Sequence, residues 1–582
     1  MVLSSAKDIH HGIKRTVLNH LKDKIMITKK YKWVLAAMCI TSITFSCKKD
    51  VLDVKPTNFV SDVAVFEDIT LTSQFLTNVY SSLLSGFERK DWGFDQDWSS
   101  GFALLDMATD DIEGHNDLPL NKVQAGDLNS SFSLGTEMWR NNYILIRKAN
   151  TLIGRIDGVP TTDTVLKSRI KAEARFLRAF AYSELIRAFG GVPLIVNEQL
   201  ISDDLLVPKN TYEECVTFIT KECDEAAANL PFEYPSADLG RATKGAALAL
   251  KARVLLYFAS PLNNPSNDVT RWANAANAAK AVMDIKDQGY YNLHPDYYDL
   301  FFAKEGNKEV IFAKKFARPG RTHQTAWMLH MSIQNPDVIG GAWGAFHATQ
   351  NLVDSYEMKN GKLISDPTSQ YDPQDPYKNR DSRLDKSLIR NGAQFKGVTV
   401  ETFEGGNANK STNGDRTKTG YGLRKFIDER YLTADDVYRG GDNDWIFMRY
   451  AEVLLNYAEA KNEASGPDVS VYNALNEVRD RSGQPALSGL GQGDLRIRIR
   501  NERRVELSFE EHRFYDVRRW KLGMTYFNVP VKKMKIVKNA NSTLTYTVEN
   551  YENRVYNEKF NLLPIPQMEI ERNPELVQNT GY

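Results

Sequence analysis

Nine histidines are scattered through the 582 residues, and their spacing limits the chemistry on offer. Acid–base work and metal ligation both need ionisable side chains converging on one point. His10, His11, His20 and His115 are upstream or isolated, and His323, His330 and His347 have no Glu or Cys at ligand spacing; they read as solvated or satisfied core residues. Asp110 and Asp111 form a carboxylate pair whose acid and base roles only geometry can assign. Asp95 with Asp97, and Asp442 with Asp444, offer oxygens to a structural Ca²⁺, but neither stretch completes an alternating-oxygen loop, so no cofactor or metal is expected. The chain has no G-x-S-x-G elbow, no H-E-x-x-H and no intact phosphate loop. In GGNANKST (405–412) Asn409 stands where a phosphate loop needs glycine before lysine, and GLGQG (489–493) lacks dinucleotide spacing. Catalysis is not expected.

Aromatic placement says more. Of nine tryptophans, Trp139, Trp272, Trp445 and Trp520 lie in or beside helical patterns and are expected in the core. Trp92, Trp98, Trp327 and Trp343 instead fall in irregular segments crowded with polar residues: DWGFDQDWSSGF, RTHQTAWMLH and GGAWGAFHATQN. A sugar ring has an apolar C–H face and polar edges, so its site needs a flat aromatic beside hydrogen-bonding side chains. The candidate ligand contacts are Trp92, Gln96, Asp97, Trp98, Arg321, Gln324, Trp327, Trp343 and Phe346. The alternative is that these tryptophans pin long loops to the scaffold.

The elements that must position them are mostly helical. Apolar residues at helical spacing predict helices over 170–189, 211–230, 242–259 and 272–286, then again over 446–463, 469–481 and 495–511. Gly190, Gly191 and Pro193 stop the first of these; Gly245, Ala246, Ala249 and Ala252 let a neighbour approach the third closely. Helical hairpins in succession, about 140–290 and 446–520, predict tetratricopeptide-like stacking, although the 34-residue consensus is absent. Two loop-rich stretches, about 86–121 and 287–440, carry the candidate contacts and short strands such as 309–316. The fold class expected is mainly α: a helical-pair scaffold with a loop-rich, short-strand region facing ligand. One domain, 47–582, is expected.

Lys plus Arg and Asp plus Glu number 74 each, which excludes a global basic field for nucleic acid. The balance hides a division: residues 1–46 carry eight basic and two acidic residues, a net +6, so 47–582 sum to −6. From Met26 a basic start leads into the apolar run 33–45, which includes Trp33, then Ser46 and Cys47. That run is shorter than the roughly 20 residues of a membrane-spanning helix and has the proportions of a secretory signal. Cleavage before Cys47 fits a bacterial lipoprotein signal with Cys47 lipidated, although no leucine stands three residues before it; an uncleaved signal anchor is the alternative. Residues 1–25 precede the basic n-region, and Met26 is the expected initiator. Of four cysteines, Cys39 leaves with the signal. Cys215 and Cys223 share one predicted helix about 12 Å apart, beyond disulfide reach.

LDVKP (52–56), EARFLRAFAYSELIRAFGGVPL (173–194), TKGAALALKARVLLYFASP (243–261), TQNLVDSYEMKNGK (349–362), MRYAEVLLNYAEAKNE (448–463), LNEVRDRSG (475–483), NERRVELSFEEHRFYDVRRW (501–520) and LLPIPQMEIERNPELVQNTGY (562–582) together resemble the SusD/RagB family of glycan-binding surface lipoproteins. They follow the family's order from end to end. The resemblance implies four tetratricopeptide-like helix pairs, an outer-membrane lipid anchor facing the cell surface, and noncatalytic oligosaccharide capture. It implies as partner a SusC-like TonB-dependent transporter that the lipoprotein caps as a lid; a transporter lid for peptides or another nutrient, without sugar specificity, is the alternative. It places ligand contacts by region only, near Trp98 and between Phe316 and Gln350, and implies that 501–520 packs the scaffold. Lys48 and Lys49 depart from the acidic residues that often follow the lipidated cysteine in exported relatives; Asp50 and Asp53 partly restore them.

Overall fold

The computed structural model describes residues 62–88, 104–114, 120–286, 288–323, 325–329, 331–333, 344–410, 416–430 and 440–582. Residues 65–582 cluster as one unit. The signal segment and Cys47 lie outside the described residues.

Helix α1 (Ile69–Ser81) is followed by α2 (Ser133–Arg155), α3 (Thr164–Phe189), α4 (Tyr212–Ala227), α5 (Lys244–Ala259) and α6 (Val269–Lys286). From α2 to α6 each helix packs on the next, and α6 packs on α7 (Tyr450–Ser465). Helices α8 (Val469–Arg481) and α9 (Gln492–Glu506) cover α7, and α10 (His512–Arg519) follows. Local chemistry fixes the ends. Asp163 caps α3 by accepting from the Leu166 N–H at 2.8 Å, and Gly190 ends it at φ 76°, a conformation open to glycine. Thr211 and Glu214 close a reciprocal capping box on α4, and Thr243 and Asp468 cap α5 and α8. Helix α3 is buried along nearly its whole length, which makes it the central strut. At its neighbour α5, a Cβ on Gly245 would meet the Tyr291 hydroxyl at 1.9 Å, so the close approach expected there is realised. Trp139, Trp272, Trp445 and Trp520 are all buried, as expected, and Cys215 and Cys223 are free thiols buried on α4.

Short antiparallel strand pairs tie distant segments together. Strand β1 (Ile112–Gly114) pairs with β3 (Phe346–Ala348), β2 (Val310–Lys314) with β4 (Trp445–Arg449), and β5 (Val531–Lys538) with β6 (Leu544–Glu552). Two helical expectations need correction. Residues 446–449 belong to strand β4, because the apolar run WIFM, ending in Arg449, completes a ladder with β2 and leaves the helix to begin at Tyr450. Residues 495–511 are not one helix either: α9 ends at Glu506, and the chain turns through Phe509 (φ 65°) and Glu511 (φ 64°) before α10.

That turn exists to seat charge. Arg449, at the end of β4, donates to Glu309, Glu506 and Glu510, and Arg383 donates to Asp381, Glu502 and Glu506. Arg481 also pairs with Glu506. Burial pushes the Glu506 carboxyl up, but Arg481, Arg449 and Arg383 outweigh it and hold the group well below the usual carboxylate range. Farther along, Arg519 grips Glu459 with both terminal nitrogens at 2.6 and 2.7 Å. The charged segment 501–520 is therefore scaffold. These buried ions have fixed counter-charges, and the buried Arg518 donates instead to the Phe560 and Phe514 carbonyls at 2.9 and 2.8 Å, so burial is compensated by pairing or hydrogen bonding.

Candidate functional site

Among the described residues, two joins between the two loop-rich stretches frame the site. At the first, the carboxylate of Glu88 accepts from Arg321 at 2.9 Å and from Ser85 at 2.7 Å, and pairs with Lys314 at 2.5 Å. Burial raises the Glu88 carboxyl, yet Lys314 and its hydrogen bonds hold it below its ordinary value. At the second point, β1 and β3 pair in the register Ile112↔Ala348, Glu113↔His347 and Gly114↔Phe346. Thr349 reinforces the join, its N–H donating to Asp111 O at 3.0 Å and its hydroxyl to Asp110 O at 2.6 Å.

A packed aromatic knot lies beneath the first join. The Phe87 ring sits 4.5 Å from His323, 4.8 Å from Trp445 and 5.3 Å from Phe426, centroid to centroid. Burial pushes the His323 imidazole down to about 4, so it is neutral at physiological pH. Its Nδ1 accepts from the Thr325 N–H at 3.3 Å and its Nε2 faces Asn443 O at 2.9 Å, an arrangement that assigns the proton to Nε2. Reciprocal backbone bonds with Gly441 bring the 440–441 segment to the same place. A Cβ on Gly441 would meet His323 Nδ1 at 2.4 Å, and one on Gly86 would meet the Trp445 ring at the same distance. Both glycines admit neighbours that any side chain would displace.

Of the carboxylates weighed for chemistry, Asp110, Asp111 and Asp444 are committed to structure, and Asp95 and Asp97 lie outside the described residues. Asp110 pairs with Arg504 at 2.8 Å and Arg513 at 2.9 Å, and Asp111 with Arg504 at 2.5 Å, an arrangement of anchors rather than of an acid beside a base. Asp444 pairs with Lys304 at 2.9 Å and with Lys315. Among the described residues no group of three or more His, Cys, Asp or Glu is placed to hold a metal ion.

Among the candidate ligand contacts, Arg321 is half-exposed, 5.6 Å from the Phe316 ring, and lines a cavity of about 280 Å³ with Tyr80, Asp238, Arg241 and Lys315. Phe346 is 1% exposed; its ring fills the core at the β1–β3 join and in this conformation offers no face to a sugar. Trp327 lies in the helical turn Thr325–Leu329. Trp92, Gln96, Asp97, Trp98, Gln324 and Trp343 lie outside the described residues. A second cavity of about 290 Å³ adjoins the first through shared Gly240, Arg241 and Lys315. On its wall Phe232 and Tyr290 stack 4.8 Å apart at 10°. Sequence reasoning missed these two rings: they are separated by a helix pair, and their only local signal is an aromatic beside Pro231 and another beside Gly289.

A helical-pair scaffold whose two loop-rich stretches are clamped together over a rigid aromatic base defines a class: helical-repeat proteins that present irregular loops to a ligand. The chain belongs to the SusD family. The model described as "SusD family" matches residues 308–582, and one described as "Starch-binding associating with outer membrane" matches residues 52–256. SusD-like protein P25 of Formosa agariphila is 25% identical over 568 residues, 92% of this chain and 97% of that protein. A crystal structure of a SusD-like protein from Bacteroides fragilis superposes with a TM-score of 0.76 at 29% identity, covering 90% of this chain and 99% of the other. A SusD-like carbohydrate binding protein from the same species gives 0.74 at 25% identity, covering 88% and 99%.

Proposed function

We propose that this protein is a noncatalytic, lipid-anchored outer-membrane protein that captures oligosaccharide on its clamped loop face and passes it to a SusC-like TonB-dependent transporter. The observation that carries the reading is the double join. Glu88–Arg321 and β1–β3 join residues 88 and 112–114 to residues 321 and 346–348, the described segments that flank the candidate tryptophans in sequence. Family membership supports sugar as the ligand. Stacking of C–H faces on tryptophan contributes about 1 kcal/mol per ring, by analogy with aromatic pairs. Two or three rings with a few hydrogen bonds then suit micromolar to millimolar affinity, appropriate for a carrier that must also release.

Affinity electrophoresis of the protein and of Trp98→Ala through gels containing a panel of polysaccharides tests the capture. Retardation by at least one glycan, lost in the variant, is expected; unchanged retardation removes Trp98 from the site. Co-purification with a TonB-dependent transporter but no retardation by any glycan would favour a transporter lid without sugar specificity. Release of reducing ends by the pure protein would overturn the noncatalytic part.

A further inference from the structure

A cavity of about 440 Å³ opens between the β5–β6 hairpin and residues 404–409 and 416–420. Among the described residues its lining includes Arg416, Lys418, Lys533 and Lys535 beside the carboxylate of Glu404. Strand periodicity creates the cluster: Lys533 and Lys535 are two apart on β5 and so share a face, and Glu549 and Thr547 stand opposite them on β6. Tyr551, at the irregularity between Asn550 and Glu552 in the ladder, closes the wall, with Lys533 Nζ 5.9 Å from its ring.

The charge is answered in part from within, and Glu113 acts on Lys418. Glu549 lies 3.5 Å from Lys533 and 3.8 Å from Lys535, and Glu404 lies 3.7 Å from Lys535. Around Arg321 the cations are matched more tightly: Arg241 with Asp238 at 2.6 Å, Lys314 with Glu88 at 2.5 Å. The cavity also sits against the clamped face, because Lys418 Nζ donates to Gly114 O, at the end of β1, at 3.0 Å. A concave basic site on a chain whose residues 47–582 sum to −6 is a local reversal of field, and concavity concentrates such a field.

We propose that this cavity binds an anionic substituent of the captured glycan, a carboxylate or a sulfate ester, and so selects acidic oligosaccharides. The inference rests on the glycan-capture reading above and adds the ligand's charge. Lys533 and Lys535 meet the anion as point charges, Arg416 supplies a planar fork matched to two oxygens, and Tyr551 offers a ring edge to the sugar.

Isothermal titration calorimetry at low and high salt, with trigalacturonate, a sulfated carrageenan oligosaccharide and neutral laminaritetraose as probes, tests it. The double variant Lys533→Gln/Lys535→Gln and the single variant Arg416→Gln change half-exposed or exposed side chains, and unchanged thermal melts establish that they fold. At least one anionic probe is expected to bind, to weaken with salt, and to lose roughly tenfold in affinity in the double variant, about 1.4 kcal/mol. Binding of the uronate alone assigns a carboxylate, and of the carrageenan fragment alone a sulfate ester. Binding of neutral laminaritetraose without either anionic probe, or anionic binding that the variants leave intact, overturns the inference while the capture reading stands. Failure of every probe, together with no retardation by any polysaccharide, removes both.

Discussion

Arg449 and Glu510 form a two-point ion pair in the core: Arg449 Nε donates to one carboxylate oxygen of Glu510 and Nη2 to the other, each at 2.7 Å. Arg449 is 1% exposed. The pair couples the last residue of β4 to the turn between α9 and α10, so a single side chain holds sheet, helix and turn in register.

Removing that side chain takes one cation from each of three carboxylates, since Glu309 and Glu506 also accept from Arg449 at 2.7 and 2.6 Å. Arg449→Met is expected to destabilise the protein by about 3–5 kcal/mol, the range for breaking a buried pair from one side. Urea denaturation followed by circular dichroism reads this; a loss below about 1 kcal/mol would mean that Arg481 and Lys425 suffice to hold Glu506 and Glu510.

Gly86→Ala is expected to cost about 1–3 kcal/mol by overpacking. The new methyl would lie 2.4 Å from the Trp445 ring, which is itself held by Phe87, and neither ring has room to retreat. Thermal unfolding measures the cost. Because Gly86 is close to Glu88 in the chain, glycan retardation is expected to weaken as well; a variant with parental stability would show that Trp445 can tilt away.

Arg321 separates a ligand contact from a structural one. Its pair with Glu88 is half-exposed, so Arg321→Ala is expected to change stability by less than about 1 kcal/mol. If the guanidinium reaches the sugar, glycan retardation falls at unchanged melting temperature. Glu88→Gln leaves the guanidinium in place and is expected to keep most of the retardation. Equal losses in both variants would make the ion pair, rather than Arg321 itself, the functional unit.

The helices were largely readable because their signals are local. In α3, apolar spacing and the Gly190 stop give the observed end at Phe189, but the expected start at residue 170 is late: the helix begins at Thr164, capped by Asp163. Strand β2 was readable from its short apolar run. Strand β4 was not: WIFMR abuts a strong helix, and only its ladder with β2, more than a hundred residues earlier in the chain, makes it a strand. The break at Phe509 and Glu511 was equally hidden, since its cause is the partners of Glu510 and the Glu511 N–H bond to Asp106 at 2.8 Å. The aromatic site was legible as a composition, tryptophan among polar residues, but burial is a three-dimensional property. Phe346 carries the same local signature as Trp343, yet the β1–β3 pairing turns its ring inward.

His323 makes stability depend on pH with a definite sign. Burial among Phe87, Phe316 and Trp445 lowers its pKa from 6.5 to about 4, against the raising influence of Asn443 O, Asp442 and Glu88. The unfolded chain therefore takes up a proton on this residue at a higher pH than the native state does. Stability from the neutral imidazole is complete above about pH 6.5, declines as pH falls from there, and is gone below about pH 4. One pKa unit corresponds to 1.36 kcal/mol, so the full effect is on the order of 3 kcal/mol. His512, lowered to about 4 by burial, acts in the same direction over the same window. Melting temperatures measured between pH 7 and pH 4 are expected to fall, and His323→Gln, less stable at pH 7, is expected to show a shallower decline. A parallel decline in the variant would place the pH dependence with His512 and the buried carboxylates instead.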